Sequence, residues 1–265
     1  MTAPLTGIEV VTFDFGNTLV PVDRASLRAV VERTASEVVS RLGPFEVDSF
    51  LAVWGEERER QFREEVPEFR EVDLADRFVR VLARLRGMPA PPADRRWDQL
   101  AAAEHSEPAE IDLAVDVYSR SFVEVMPRPA FVGPFLERLA ARHTLAILSN
   151  WPLAATIDRY VAAAGWDRHF RAVVVSQRVG TIKPHPRIFA AALEQLGRPR
   201  PADVLHVGDD WAADVVGAKR AGWRAAYLHG PPADSPLPSS ERDAEAVADI
   251  EVATLDELEA ALEAG

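Results

Sequence analysis

Short runs of consecutive apolar, often β-branched residues recur along the chain, and each gives way to apolar residues spaced three and four apart. IEVVTFDF at 8–15, TLAILSN at 144–150, RAVVVSQ at 171–177, DVLHVGD at 203–209 and RAAYLHG at 224–230 are runs of the first kind. Continuous rather than alternating hydrophobicity marks a strand covered on both faces, as in a parallel sheet. Between them, PAFVGPFLERLAARH, PLAATIDRYVAAAGW, HPRIFAAALEQLG and WAADVVGAKRAG each begin near a Pro or a polar residue. Three of them close on or near Gly, as helices commonly do. The tail ADIEVATLDELEAAL adds a sixth strand and a last helix. Strand and helix in alternation predict an α/β fold with a doubly wound parallel sheet.

The pattern changes between residues 21 and 127, where no convincing strand occurs. Leu27, Val30, Val31, Val38, Val39 and Leu42 recur at helical spacing behind Asp23, a good N-cap, and Gly43 ends the run. Leu74, Phe78, Val81, Leu82 and Leu85 repeat the pattern behind Asp73, and Ile111, Ala114, Val115, Tyr118 and Phe122 do so again. A crossover between parallel strands rarely needs so much chain, so this segment is expected to be an inserted helical lid. The core domain then comprises residues 1–20 and 128–265, with hinges at VPVD after Leu19 and at MPRPAFVGP from Met126. REEVPEFREVDLADR intersperses both charge signs and predicts a solvated helical face; GPPADSPLPSS at 230–240 predicts a surface loop.

Composition narrows the partners. With 42 acidic against 30 basic residues, a formal charge of -12 and no cysteine, the surface repels nucleic-acid backbones and anionic membranes, and neither disulfides nor thiolate chemistry is available. No apolar run reaches the roughly 18 residues of a membrane span, and the start of the sequence lacks a basic leader, so a cytoplasmic protein is expected. Lys183 and Lys219 are the only lysines. Any step that needs an amine has two candidates, neither of them in the insertion.

Ligands of an open parallel sheet bind beyond the carboxyl ends of its strands. Those ends carry Asp14, Ser149 with Asn150, and Asp209 with Asp210, while Lys183 sits on the loop VGTIKPHP. In this arrangement the sequence resembles the haloacid dehalogenase superfamily of Asp-nucleophile hydrolases. DFGNTL matches the first motif, Asp-x-Asp-x-Thr-Leu, except at its third residue; Ser149 in LAILSN matches the second, Lys183 in GTIKPHP the third, and GDDWAAD, with Asp209 and Asp214, the fourth. The helical insertion resembles the first cap type of that superfamily.

The resemblance implies a nucleophile at Asp14 that forms an aspartyl-phosphate, splitting one hard displacement into two. Thr18, Ser149 and Asn150 would contact the substrate, and Lys183 would offset charge on phosphate and nucleophile. Three carboxylates against one ammonium leave an excess of two negative charges, which one Mg²⁺ cancels; like charges about 4 Å apart cost roughly 4 kcal/mol at an effective dielectric near 20. The expected ligands are Asp14, the carbonyl of Gly16, Asp209 and Asp214, with Asp214 otherwise an outer partner that orients Lys183 and Asp210 a helper. The expected partner is a small phosphorylated molecule. Gly16 stands where phosphatases of this superfamily carry their acid-base Asp, help worth roughly 10² to 10⁴-fold. That absence favours good leaving groups or an acid from the cap, and leaves open a 2-haloacid dehalogenase and a fold kept for binding. Phosphonate cleavage through a Schiff base has no lysine in the cap to use. His206, inside its strand, is expected to be a core residue and His185 a helix cap; Trp151 is a candidate wall of the pocket.

Overall fold

The computed structural model describes residues 5–264. Strands β1 (Val10–Phe13), β2 (Thr144–Ser149), β3 (Phe170–Val175), β4 (Val204–Gly208), β5 (Arg224–Leu228) and β6 (Ile250–Val252) form one sheet in the order β3-β2-β1-β4-β5-β6. Every pairing is parallel, with Val10 level with both Thr144 and Val204. The strand order changes direction at β1, which opens a crevice beyond the ends of β1, β2 and β4.

Five helices fill the insertion: α1 (Arg24–Leu42), α2 (Val47–Glu65), α3 (Leu74–Leu85), α4 (Gln99–Ala103) and α5 (Pro108–Val125). Asp23 and Asp73 cap α1 and α3, accepting from the amides of Ser26 and Ala75, each at 2.7 Å. Periodicity predicts α1, α3 and α5; α2 and α4 are additions. Around the sheet stand α6 (Val132–Ala140), α7 (Ala154–Ala163), the short α8 (Ser176–Val179), α9 (Pro186–Gln195), α10 (Gly217–Arg220) and α11 (Leu255–Glu263). A π-helical turn over Trp211–Val216 leads into α10. Val11, Phe13, Leu145, Ile147, Leu205 and Val207 face α6, α7 and α11 on one side. Val10, Ala146, Leu148 and Val204 face α9 and α10 on the other. Both faces are dry, as the unbroken apolar runs require. Among the described residues, no helix is long and apolar enough to cross a membrane.

REEVPEFREVDLADR is not a solvated helical face: α2 ends at Glu65, a 3₁₀ turn spans Val66–Glu68, and the chain runs extended to the start of α3. Phe69, left-handed at φ 54°, docks on the core, its carbonyl accepting from the amide of Ile182 at 3.0 Å and the hydroxyl of Thr181 at 2.8 Å. The 230–240 segment is the surface loop expected, and it is fastened to the core. Ser240 fixes it to Asp210, and Pro236, Leu237 and Pro238 lie over the crevice.

Candidate active site

Parallel pairing delivers Asp14 to the end of the central strand, and Lys183 reaches it from the loop between α8 and α9. The Lys183 Nζ donates to Asp14 Oδ1 at 2.8 Å, to the Leu148 carbonyl at 2.8 Å and to Asp214 Oδ1 at 2.6 Å. Burial opposes its charge, but the Asp14 and Asp214 carboxylates outweigh burial and hold the amine above its ordinary range. Asp214 answers in kind: burial works against its charge, yet Lys183 and His206 keep it well below the usual carboxylate range. A fully buried His206 lies behind them, its Nε2 3.0 Å from Asp214 Oδ1 and its Nδ1 2.8 Å from Thr12 Oγ1. Burial and the Lys183 charge lower the His206 pKa and keep the ring neutral. With Nε2–H directed at Asp214, Nδ1 is left to accept from Thr12. His206 is thus the packed strand residue expected, and also a support for Asp214.

Asp214 reaches this position because Gly208 has no side chain; a Cβ there would stand 2.1 Å from Asp214 Oδ2. The same Oδ2 accepts from the Asp210 amide at 2.9 Å. Both oxygens of Asp214 therefore accept from protein donors. Those of Asp210 do too, from Ala213 N and Ser240 N, each at 2.7 Å, and from Ser240 Oγ at 2.9 Å. The bonds from Ser240 fasten the 230–240 segment to Asp210. Among the described residues, no three His, Cys, Asp or Glu side chains converge as a ready-made chelate.

Asp14 and Asp209 both line the cleft. Asp14 is raised above its ordinary pKa by burial, despite Lys183, and Asp214 adds to the rise. Burial and the charges of Asp14 and Asp214 push Asp209 up to about 8. Among the described residues, the side chains that hydrogen-bond Asp209 are Asn17 and Thr18, each at 3.4 Å. Thr18 is buried and turned toward Asp209, away from the cleft wall. The turn between them is held by Asn17, which takes the left-handed conformation at φ 58° that Asn tolerates, and whose Oδ1 accepts from Val22 N at 3.1 Å. The Phe15 carbonyl accepts from the amides of Leu19 and Val20, whereas no described group donates to the carbonyl of Gly16. Ser149 is fully buried and its Oγ has no hydrogen-bond partner among the described residues. Asn150 clamps the loop instead, accepting from Lys183 N at 2.7 Å and donating to Lys183 O at 3.0 Å. His185 caps α9 as expected, accepting from Arg187 N at 3.3 Å.

Above Asp14 a cleft of about 310 Å³ runs between cap and core, with Trp151 in its wall. Several of its lining residues escape a motif-based reading. Leu237 lies over Gly16, so that a Cβ on Gly16 would come within 2.6 Å of the leucine Cδ1. The position of the missing acid is thus filled by hydrocarbon. Glu71, lifted above its ordinary range by burial, accepts from Val72 N at 2.9 Å and from the Ser176 hydroxyl. Arg58, Arg77 and Tyr118 complete the cap side. Only the break at Pro67 within a charged run hinted that this segment turns inward.

A family model described as haloacid dehalogenase-like hydrolase matches residues 8–222. The chain belongs to this family of hydrolases. Pyrimidine 5'-nucleotidase YjjG of Escherichia coli is 28% identical over 135 residues, 51% of this chain and 58% of that protein. A phosphoserine phosphatase of Thermus thermophilus is 39% identical over 84 residues, 32% of this chain and 34% of that one. The chain therefore aligns with about half or less of the length of these relatives. A 2-haloacid dehalogenase from Pseudomonas syringae shares the fold, with a TM-score of 0.66 at 22% identity over 97% of this chain and 99% of that chain.

Proposed function

We propose that this hydrolase is a Mg²⁺-dependent phosphohydrolase of small phosphorylated molecules that works through an aspartyl-phosphate on Asp14. The observation that carries the reading is the amine of Lys183 bridging Asp14 and Asp214 at the floor of the cleft, with Asp209 opposite. Magnesium fits the donors present. Asp14 and Asp209 offer hard carboxylate oxygens to the cleft, and no described group donates to the Gly16 carbonyl. Mg²⁺ keeps several waters and needs only one or two carboxylates. When bound it supplies positive charge opposite Lys183 for an incoming dianion.

The chain's own residues do the rest. The Asp14 carboxylate attacks phosphorus as the bond to the leaving oxygen breaks and that oxygen departs with the electron pair. Lys183 holds the carboxylate in place and offsets charge on the phosphoryl group. The orphaned Ser149 hydroxyl is a donor for a phosphoryl oxygen. Water then attacks phosphorus and releases Asp14. With Leu237 over it, position 16 supplies no proton to the leaving oxygen, so aryl, acyl and anhydride phosphates are favoured over alkyl esters. The relatives named as a nucleotidase and a phosphatase favour phosphorus as the centre attacked.

Hydrolysis of p-nitrophenyl phosphate tests this. Release should require Mg²⁺, stop with a chelator and fall at least about 10³-fold in Asp14→Asn. Absence of Mg²⁺-dependent release overturns the reading. A halide needs no proton to leave, so the apolar cover on Gly16 also suits displacement from a 2-haloacid; halide release without Mg²⁺ would replace the phosphoryl reading with that one.

A further inference from the structure

Many of the cap's arginines are paired with carboxylates. Arg60 and Arg80 pair with Glu64, Arg84 with Glu57, and Arg70 and Arg96 with Glu65. Arg58 and Arg77, which line the cleft, have no carboxylate within salt-bridge distance among the described residues. Arg77 is only 4% exposed. A buried, unpaired guanidinium is costly unless something anionic meets it.

Arg77 is also held as if to receive a ligand. Its Nε donates to Gln61 Oε1 at 2.8 Å, and Gln61 is fixed in turn by donating to the Asp73 carbonyl at 2.9 Å. The guanidinium carbon lies 5.0 Å from the ring centre of Trp54, while that of Arg58 lies 4.9 Å from the ring centre of Phe62. The terminal nitrogens of both arginines make no hydrogen bond to the described residues, although they are not sealed from solvent. Burial, with Arg58 adding to it, pushes Arg77 down to about 9. Tyr118 shares the pocket, and its hydroxyl also makes no hydrogen bond to a described residue. Much of the wall of the same cleft is hydrocarbon, including Val72, Leu74, Ile182 and Leu237.

We propose that the substrate attacked at Asp14 carries a second anionic group, a carboxylate or a phosphate, which docks on Arg58 and Arg77 while an apolar body spans the cleft between. A planar guanidinium pinned at Nε presents its two outer N–H groups as a fork that matches either oxyanion. This inference rests on the reading of Asp14 as the reacting end, and it names the substrate class: aryl or acyl phosphates with an acidic far end.

Binding of unreactive phosphonates separates the two readings. Benzylphosphonate, 4-(phosphonomethyl)benzoate and 1,4-xylylenebisphosphonate are titrated calorimetrically into the protein with Mg²⁺. One or both of the doubly anionic probes should bind at least about tenfold more tightly than benzylphosphonate, and whichever does so identifies the second group. In Arg77→Gln and in Arg58→Gln the advantage should shrink to about threefold or less. Arg58 is only half-buried, so its variant carries the test if Arg77→Gln fails to fold. Equal affinity for all three probes, or an advantage that survives Arg58→Gln, overturns the subsite. Turnover of singly anionic aryl phosphates alongside equal affinities sinks the subsite but keeps the phosphohydrolase. The expected affinity pattern with no turnover of any phosphate does the reverse.

Discussion

At the scale of single residues, the site turns on what covers Gly16. A superfamily motif read alone invites Gly16→Asp as a simple repair. The contact with Leu237 argues otherwise, because the new Cβ would stand 2.6 Å from Leu237 Cδ1 and 3.2 Å from the Trp151 ring. Leu237 is the end of a flexible side chain and can move, but the incoming carboxyl would then enter an apolar pocket. Gly16→Asp alone is expected to change alkyl phosphate hydrolysis by less than about tenfold, whereas Gly16→Asp with Leu237→Ala should raise it by roughly 10²-fold or more. Aryl phosphate, whose leaving group needs little protonation, should respond far less to either. Comparing kcat/KM for the two esters across the three proteins checks this; equal gains in the single and double variants would show that Leu237 is not the obstacle. Asp14, Lys183, Asp209 and Asp214 were legible in the sequence because their spacing is tied to strand ends that a parallel sheet must align. Leu237 and Arg77 were not, because a side chain's place in a cleft depends on how a loop or cap helix docks, and no periodicity encodes that.

At the scale of elements, two features show why sequence reasoning stopped where it did. Helix α2 buries Phe50, Trp54, Glu57 and Gln61, a spacing that makes one continuous stripe. Half of that stripe is polar, so apolar periodicity alone does not reveal the helix. The polar half is satisfied inside: Glu57 accepts from Trp97 Nε1 at 2.7 Å and from Arg84 at 3.1 Å, and Gln61 receives Arg77. Glu57→Ala orphans the Trp97 Nε1–H and leaves Arg84 with Glu56 at 2.7 Å, so it should destabilise the protein by about 1–3 kcal/mol. Glu57→Gln, which keeps the shape and one acceptor, should cost about half as much; urea unfolding of the two variants reads the difference. The 230–240 segment teaches a related point. Its Pro and Ser content signals irregular chain, but the two bonds from Ser240 to Asp210 and the bond from Asn17 Nδ2 to Ser235 Oγ at 3.0 Å make it a strap over the cleft. Ser240→Ala keeps the amide bond and removes the hydroxyl, which also accepts from Ala212 N at 2.7 Å. It should raise KM about threefold to tenfold and speed proteolytic nicking within 230–240. Unchanged nicking and KM would mean that the strap is held by its prolines and Leu237 instead.

At the scale of the whole molecule, the segments expected to be lid and core pack on one another. One hydrophobic cluster runs without a break from Val30, Phe50, Trp54 and Phe78 of the cap to Phe13, Ile147 and Val207 of the sheet. Its crossing point is a knot of rings. Phe122 of α5 lies 5.4 Å from Trp151 and 6.0 Å from Tyr160, and Phe15 lies 5.5 Å and 5.3 Å from the same two. Backbone contacts reinforce the seam, with Leu74 N donating to Pro152 O at 3.0 Å. Interfaces between independently folding domains are smaller and more polar than this. Thermal unfolding should therefore give a single calorimetric transition whose van't Hoff and calorimetric enthalpies agree. Phe122→Ala should lower it by about 3–5 kcal/mol without splitting it. A resolved second transition in either protein would show that the cap folds by itself. Because Phe15 sits between Asp14 and Gly16 in the chain, the same substitution loosens the turn that aims the nucleophile. Its kcat should fall along with its stability, whereas substitution of a cap residue remote from the knot, such as Glu57, should leave kcat closer to that of the parent.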